Sequence, residues 1–309
     1  MHPAIFALFF EFSRTAAAMS GAGIVLFLIG AFATKNEIAQ ARGLDKVAAL
    51  SNLCYAISLA VFGAEHLSGA QFIQNLVPAY MPWRLFWAYF VGFALIAAAL
   101  SIATKIAVRW SAFLFGAMMF LFVAMIHFPG ALQAHNNRIL WVIVFRESSF
   151  GGGAWILAAT AMDASLGQSM GSRIKPALMT IGRILVAIAA IFFGIQHFLH
   201  PTALPGVPLE KQLATWIPAR VLIDYLTGAA LLIAGVFILL NRKTRTAAAW
   251  LGAWLMLMVL VIYVPVMVAG LWNPSTAVKV EGLNYFADTL LFTGAILAMA
   301  RAKAKPQSD

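Results

Sequence analysis

The chain has 309 residues, 62% of them hydrophobic and 10% charged, with mean hydropathy +0.88 and a net charge of +10. An ordinary soluble domain carries about a quarter charged residues, so that class is excluded. One cysteine, Cys54, excludes an internal disulfide, a Cys-x-x-Cys redox pair and a thiolate cluster. The positive excess suits Lys and Arg facing an anionic cytoplasmic leaflet, so no nucleic-acid partner is expected.

Apolar runs of about 20 residues select membrane helices over the alternating segments of a barrel. In chain order, spans are expected at about 15–33, 47–66, 83–104, 109–128, 148–166, 177–198, 219–240, 247–271 and 284–301. Residues 1–12, with Phe6, Phe9 and Phe10, read as an interfacial helix or the outer end of the first span. Ala31-Phe32-Ala33 resembles a signal-peptidase site, but Arg14 is the only basic residue ahead of that apolar run. Cleavage would also carry Lys35, Arg42 and Lys46 outside, so a retained span is expected. Cys54 lies in an apolar run and reads as a small core residue.

Charge orients the spans. Links after spans one, three, five and seven, with the C-terminus, hold 13 of the 21 Lys and Arg residues; the other side holds seven, and Arg183 lies within a span. The basic side is expected to be cytoplasmic, with the N-terminus outside, in a bacterial-type inner membrane. All six histidines then fall on the outer side.

The chain also repeats itself. Shifted by 136, residues 82–129 match residues 218–265 at 16 of 48 positions without a gap, where apolar composition alone would give roughly one in ten. Pro82, Arg84, Tyr89, Gly92, Arg109, Gly116 and Pro129 fall on Pro218, Arg220, Tyr225, Gly228, Arg245, Gly252 and Pro265. The expected organisation is an extra helix in 1–40, one four-helix unit in 41–168 and a second in 169–309. An even number of spans per unit makes them parallel repeats about an axis along the membrane normal.

Four polar elements recur on the outer side. Glu65-His66 matches Gln196-His197 where a span leaves the membrane; such a His caps its helix, ligates haem or a metal, moves a proton or bonds a quinone carbonyl. Pro-x-Arg-x4-Tyr-x2-Gly opens spans three and seven, with the proline expected in the first helical turn. Arg84 and Arg220 there anchor to headgroups or face an anion, with Tyr89 and Tyr225 one turn on. His127 matches Tyr263, each two residues before a proline expected to kink or stop the span. Glu147 matches Asp288 at the entry to the last span of each unit, as a helix-dipole carboxylate or a functional one. Glu65, His66, His127 and Glu147 are the candidate catalytic set, expected to share one end with Arg84. Arg84, Tyr89, His197, Arg220, Tyr225, Tyr263 and Asp288 are the candidate ligand contacts, and no metal site is expected.

Arg183-Ile184-Leu185, Phe193-Gly194-Ile195-Gln196-His197-Phe198, Pro201, Val207-Pro208, Pro218 and Tyr225-Leu226-Thr227-Gly228 resemble the pattern of DoxX-like membrane proteins. Residues 177–301 carry it; the first unit is weaker, with Asn52 in place of Arg183 and Gly69 in place of His200. The resemblance implies two fused four-helix units plus one extra span; some relatives are linked to thiosulfate:quinone oxidoreduction, others to methylamine utilisation or oxidative-stress complexes, and most have no assigned activity. It assigns no catalytic residue. The expected function is a quinone-linked oxidoreductase or its membrane subunit, with quinone, or less readily a His66–His197 haem, at the outer end. A flavin or iron–sulfur centre would need a partner subunit, since no Gly-rich nucleotide motif or cysteine set is present. The alternatives are a carrier for a small apolar or anionic molecule, or a structural subunit. The more His- and Glu-rich first unit is expected to hold the chemistry.

Overall fold

The computed structural model describes residues 13–162 and 168–302, with the side chains of 168–173 excepted. The reading of residues 1–12 lies outside them. Nine long helices carry the described fold: α1 Arg14–Gln40, α2 Ser51–Ser68, α3 Arg84–Thr104, α4 Val108–Phe122, α5 Arg138–Thr160, α6 Gln168–Leu199, α7 Arg220–Leu239, α8 Thr244–Met258 and α9 Thr276–Arg301. The chain is an all-α polytopic membrane protein. Eight segments are long and apolar enough to cross a bilayer, and α5 is the exception. It has 23 residues, enough to span, but Arg138, Arg146, Glu147 and three consecutive glycines dilute its hydropathy. It also starts ten residues before the expected 148.

The helices sort into an inner and an outer set. Of their most apolar stretches, α9 buries 89% and α2 78%, whereas α1 buries 28% and α4, with its continuation, 22%. The inner helices α2, α5, α6 and α9 pack as a chain: α2 on α9, α9 on α5, α5 on α6. Each carries one outer helix, α3 on α2, α4 on α5, α7 on α6 and α8 on α9, while α1 lies along α2. Lipid is as apolar as leucine, so close packing and polar bonds, not water exclusion, hold such helices together. Small residues sit at the crossings accordingly. A Cβ on Gly294 would stand 2.9 Å from the Cβ of Cys54, and one on Gly153 would strike Ala295. The Tyr55 hydroxyl donates to Phe150 O at 3.2 Å and Ser58 Oγ to Ala287 O at 2.9 Å, tying α2 to α5 and α9. Cys54 is a free, buried thiol.

Backbone irregularities recur at the 136-residue spacing. Trp83 and Ala219 have φ of 54° and 52°, Lys105 and Asn241 of 62° and 53°, and Ala107 and Lys243 of 56° and 49°. Left-handed residues turn the chain sharply, which suits the short links between α3 and α4 and between α7 and α8. Two expectations change here. Pro82 and Pro218 precede the helices rather than opening them, because the next residue, Trp83 or Ala219, is a left-handed cap. Pro129 and Pro265 do not stop their spans. Each follows a single π-helical turn, Val123–His127 or Val259–Tyr263, and the helix runs on through Phe128–Gln133 or Val264–Leu271. Proline lacks an N–H and crowds the preceding turn; the wider turn absorbs both defects.

Candidate functional site

The last turn of α2, α5 about two turns in at Arg146 and Glu147, the middle of α9 at Asp288 and the π turn of residues 123–127 converge on one cluster, so Glu147 and Asp288 lie within longer helices rather than at the helix N-termini expected. Arg146 is the centre. Its Nη1 lies 2.8 Å from Asp288 Oδ2 and its Nη2 2.7 Å from Glu147 Oε1, with Nε on the same Glu147 oxygen at 3.2 Å. The guanidinium also lies over the Phe150 ring at 5.9 Å. Glu65 is next, its Oε1 accepting from Asn284 Nδ2 at 2.9 Å, and it interacts electrostatically with Arg146 and Asp288. His66 and His127 both lie within the field of Glu147. One guanidinium balances one carboxylate, so the remaining negative charge calls for a proton or an imidazolium, and two imidazoles are at hand.

The ring of His66 is fixed by its own helix. Nδ1 sits 2.8 Å from Phe62 O. A carbonyl only accepts, so Nδ1 carries the hydrogen and Nε2 keeps its lone pair. The helix crossing beneath positions the ring: Gly63 meets Gly92 O, and a Cβ on Gly92 would stand 3.0 Å from the His66 Cβ.

Glu65, His66, His127, Glu147 and Asp288 thus gather in one place. Arg84 does not join them. Its Nε donates to Val77 O at 2.9 Å, holding the loop before α3, because the left-handed Trp83 turns the start of α3 toward that loop. Arg220 makes no hydrogen bond or ion pair among the described residues. Tyr89 and Tyr225 sit on exposed helix faces, Tyr225 stacked on Phe198 at 5.6 Å. Tyr263 is buried, with Asp288 and Asp224 nearby.

His197 is the sharpest correction. It is fully buried, with Nδ1 2.6 Å from Asp224 Oδ1 and Nε2 accepting the Gly206 N–H at 3.1 Å. Both ring nitrogens are engaged, so His197 is a structural latch and cannot complete a bis-His haem site with His66. Gly206 has φ +116°, a conformation that side chains resist, and a Cβ there would meet Thr289 at 3.1 Å. The latch holds residues 198–218 down on the bundle. Leu204, Val207, Leu209, Leu213 and Ile217 of this segment are buried. Arg138 donates to Pro208 O and Leu209 O at 2.9 and 3.2 Å, and Lys211 N donates to the Tyr285 hydroxyl at 2.9 Å. The corresponding loop over His66 is folded in less: Ala70 and Ile73 are buried against Ala88, but Phe72, Leu76, Tyr80 and Trp83 are exposed.

Sequence reasoning missed Arg146, Asn284 and Asp224. Arg146 was visible only as the neighbour of Glu147. Asp224, a carboxylate in an apolar helix, carried the better signal, since such a group needs a partner. The chain matches no protein-family model, no curated protein and no solved structure.

Proposed function

We propose that this chain is a quinone-linked redox membrane protein, or the membrane subunit of one, built of two DoxX-like four-helix units. Its site is the Glu65, His66, His127, Arg146, Glu147 and Asp288 cluster, at the end facing away from the cytoplasm. One observation carries the reading: a buried carboxylate–guanidinium group, bridging the halves through Asp288, stands beside two imidazoles on the side whose loop is the more exposed of the two. A quinone headgroup needs a donor or acceptor for its oxygens and a route for its protons; bound, it supplies the two-electron chemistry. Nε2 of His66 has the free lone pair to accept a hydroxyl proton. Glu147 then balances the imidazolium, held in place by Arg146, whose other side is fixed by Asp288. The electrons pass to or from a partner oxidoreductase subunit.

The test is quinone retention. Wild-type protein, reconstituted in nanodiscs with ubiquinone, repurified and solvent-extracted, is expected to retain stoichiometric quinone. Glu147→Gln and His66→Ala are expected to lose it with folding intact, while Tyr225→Phe in the other half retains it. No retention by the wild type, or equal retention by all four, would overturn the reading.

A further inference from the structure

The opposite end of the bundle holds a second site. A cleft of about 600 Å3 opens among the start of α2, the link between α3 and α4, and the ends of α5 and α9. That is a ligand-sized volume. Asn52, Lys105, Arg109, Trp110, Thr160 and Arg301 line it, with apolar wall from Leu157 and Val108. The charge is arranged, not scattered. Lys105 Nζ lies 2.7 Å from Glu37 Oε1 and 3.0 Å from Ala33 O, and Arg301 Nη2 lies 3.1 Å from Glu37 Oε2. Two cations share that carboxylate, so the trio is one charge positive. Arg301 Nη1 also donates to Asn52 Oδ1 at 2.9 Å, which fixes the guanidinium at the cleft wall. The first residues of α4 form another wall, and that helix starts without a side-chain cap. Its amides and dipole favour an anion there.

At the matching place in the other half a longer side chain reaches the same helix end. Asn52 reaches Ile102 O, at the end of α3, at 3.4 Å. Arg183 stands at the matching place under α7 and donates to Ile238 O and Leu239 O at 2.8 and 2.7 Å. The shorter Asn52 leaves open what the Arg183 side chain fills. At the rim Ile106 and Trp110 are exposed, 69% and 54%, as apolar and interfacial side chains are where a helix end meets lipid.

We infer that this cleft binds a phosphate-bearing anion, with Lys105 and Arg301 as its cationic contacts and its exposed apolar rim facing the acyl chains of an anionic phospholipid. The inference is independent of the quinone reading, since the two sites lie at opposite ends of the bundle.

The test is native mass spectrometry of the full chain in detergent micelles doped with equal phosphatidylglycerol and phosphatidylcholine. Retained phosphatidylglycerol without phosphatidylcholine is expected. Lys105→Gln removes a charge and Ala161→Trp fills the cleft with the charges intact; each is expected to lower occupancy about tenfold. A calorimetric titration of lipid-free protein with inorganic phosphate separates the sources. Saturable phosphate binding lost in both variants, without lipid preference, supports a free phosphate in the same site. Neither ligand binding, or wild-type occupancy in a folded Ala161→Trp protein, overturns the proposal; that variant decides if Lys105→Gln fails to fold.

Discussion

His66 and His197 leave their helices over the same glycine crossing, yet only one of them is sealed. In the second half a Cβ on Gly228 would stand 3.0 Å from the His197 Cβ, matching Gly92 and His66 in the first. Above that crossing the halves part. His197 is locked between Asp224 and Gly206 under a folded-in loop. His66 keeps one nitrogen for use, and its loop is only partly folded in, with Ala70 and Ile73 buried but Phe72, Leu76 and Tyr80 exposed. The same contrast runs at the basic end, where Arg183 fills what Asn52 leaves open. One scaffold therefore carries two kinds of histidine. The difference lies in a few substitutions around the ring: Asp224 where the first half has Ala88, and an apolar loop where it has an exposed one.

The strongest challenge to this contrast is at Arg146. Arg146→Met strands Glu147 and Asp288, both buried, without their shared cation. Removing one partner from a buried pair costs about 3–5 kcal/mol. Thermal unfolding in detergent is expected to show a loss of that size, or no folded protein. A loss under about 1 kcal/mol, the value of a surface pair, would mean that the two carboxylates are solvated and the cluster is not a buried site.

The two histidines come next. His197→Ala leaves Asp224 buried without its partner and frees Gly206, at an expected cost of about 2–4 kcal/mol. Limited proteolysis should then cut within 198–218. His66→Ala removes one bond to its own helix and is expected to cost about 1 kcal/mol, with no new cleavage. Equal costs for the two would erase the distinction between latch and site.

The spans were legible because lipid demands long apolar runs, and most expected bounds lie within a few residues of the helices. α5 was the least legible. Arg138 and Arg146 read as loop residues, yet one is satisfied by Pro208 and Leu209 carbonyls and the other by two carboxylates, so both lie inside a helix. The cluster was legible from His and acidic residues at expected span ends, although Glu147 and Asp288 lie inside longer helices. Its hub was not, because the face an arginine presents depends on which helices pack there. The two outer loops read alike until their apolar residues are compared: Leu204, Val207, Leu209, Leu213 and Ile217 lie buried in one, and Phe72, Leu76 and Tyr80 exposed in the other.

The glycine crossings test what the halves share. Gly92→Ala brings a Cβ to 3.0 Å from the His66 Cβ and 2.8 Å from Leu67 Cδ2; Gly228→Ala brings one to 3.0 Å from the His197 Cβ and 3.1 Å from Gly194 O. Overpacking of this kind costs about 1–3 kcal/mol, and similar losses are expected from both in the same unfolding assay. Gly92→Ala should also lower quinone retention, because it moves His66, whereas Gly228→Ala should not. Loss of retention in both would mean that retention follows the packing of the whole bundle rather than the setting of His66.

The smallest effect is expected where residues 198–218 are held from outside. Lys211 Nζ lies 2.6 Å from Glu281 Oε2, but the two side chains are 26% and 44% exposed. Exposed pairs of this kind contribute about 0–1 kcal/mol. Lys211→Ala keeps the backbone bond from residue 211 to Tyr285, so the loop should stay protected from protease, in contrast to His197→Ala. If Lys211→Ala exposes the segment as fully as His197→Ala, the loop is a lid held by a surface ion pair. The second half would then open as the first does, and its histidine would regain a claim to chemistry.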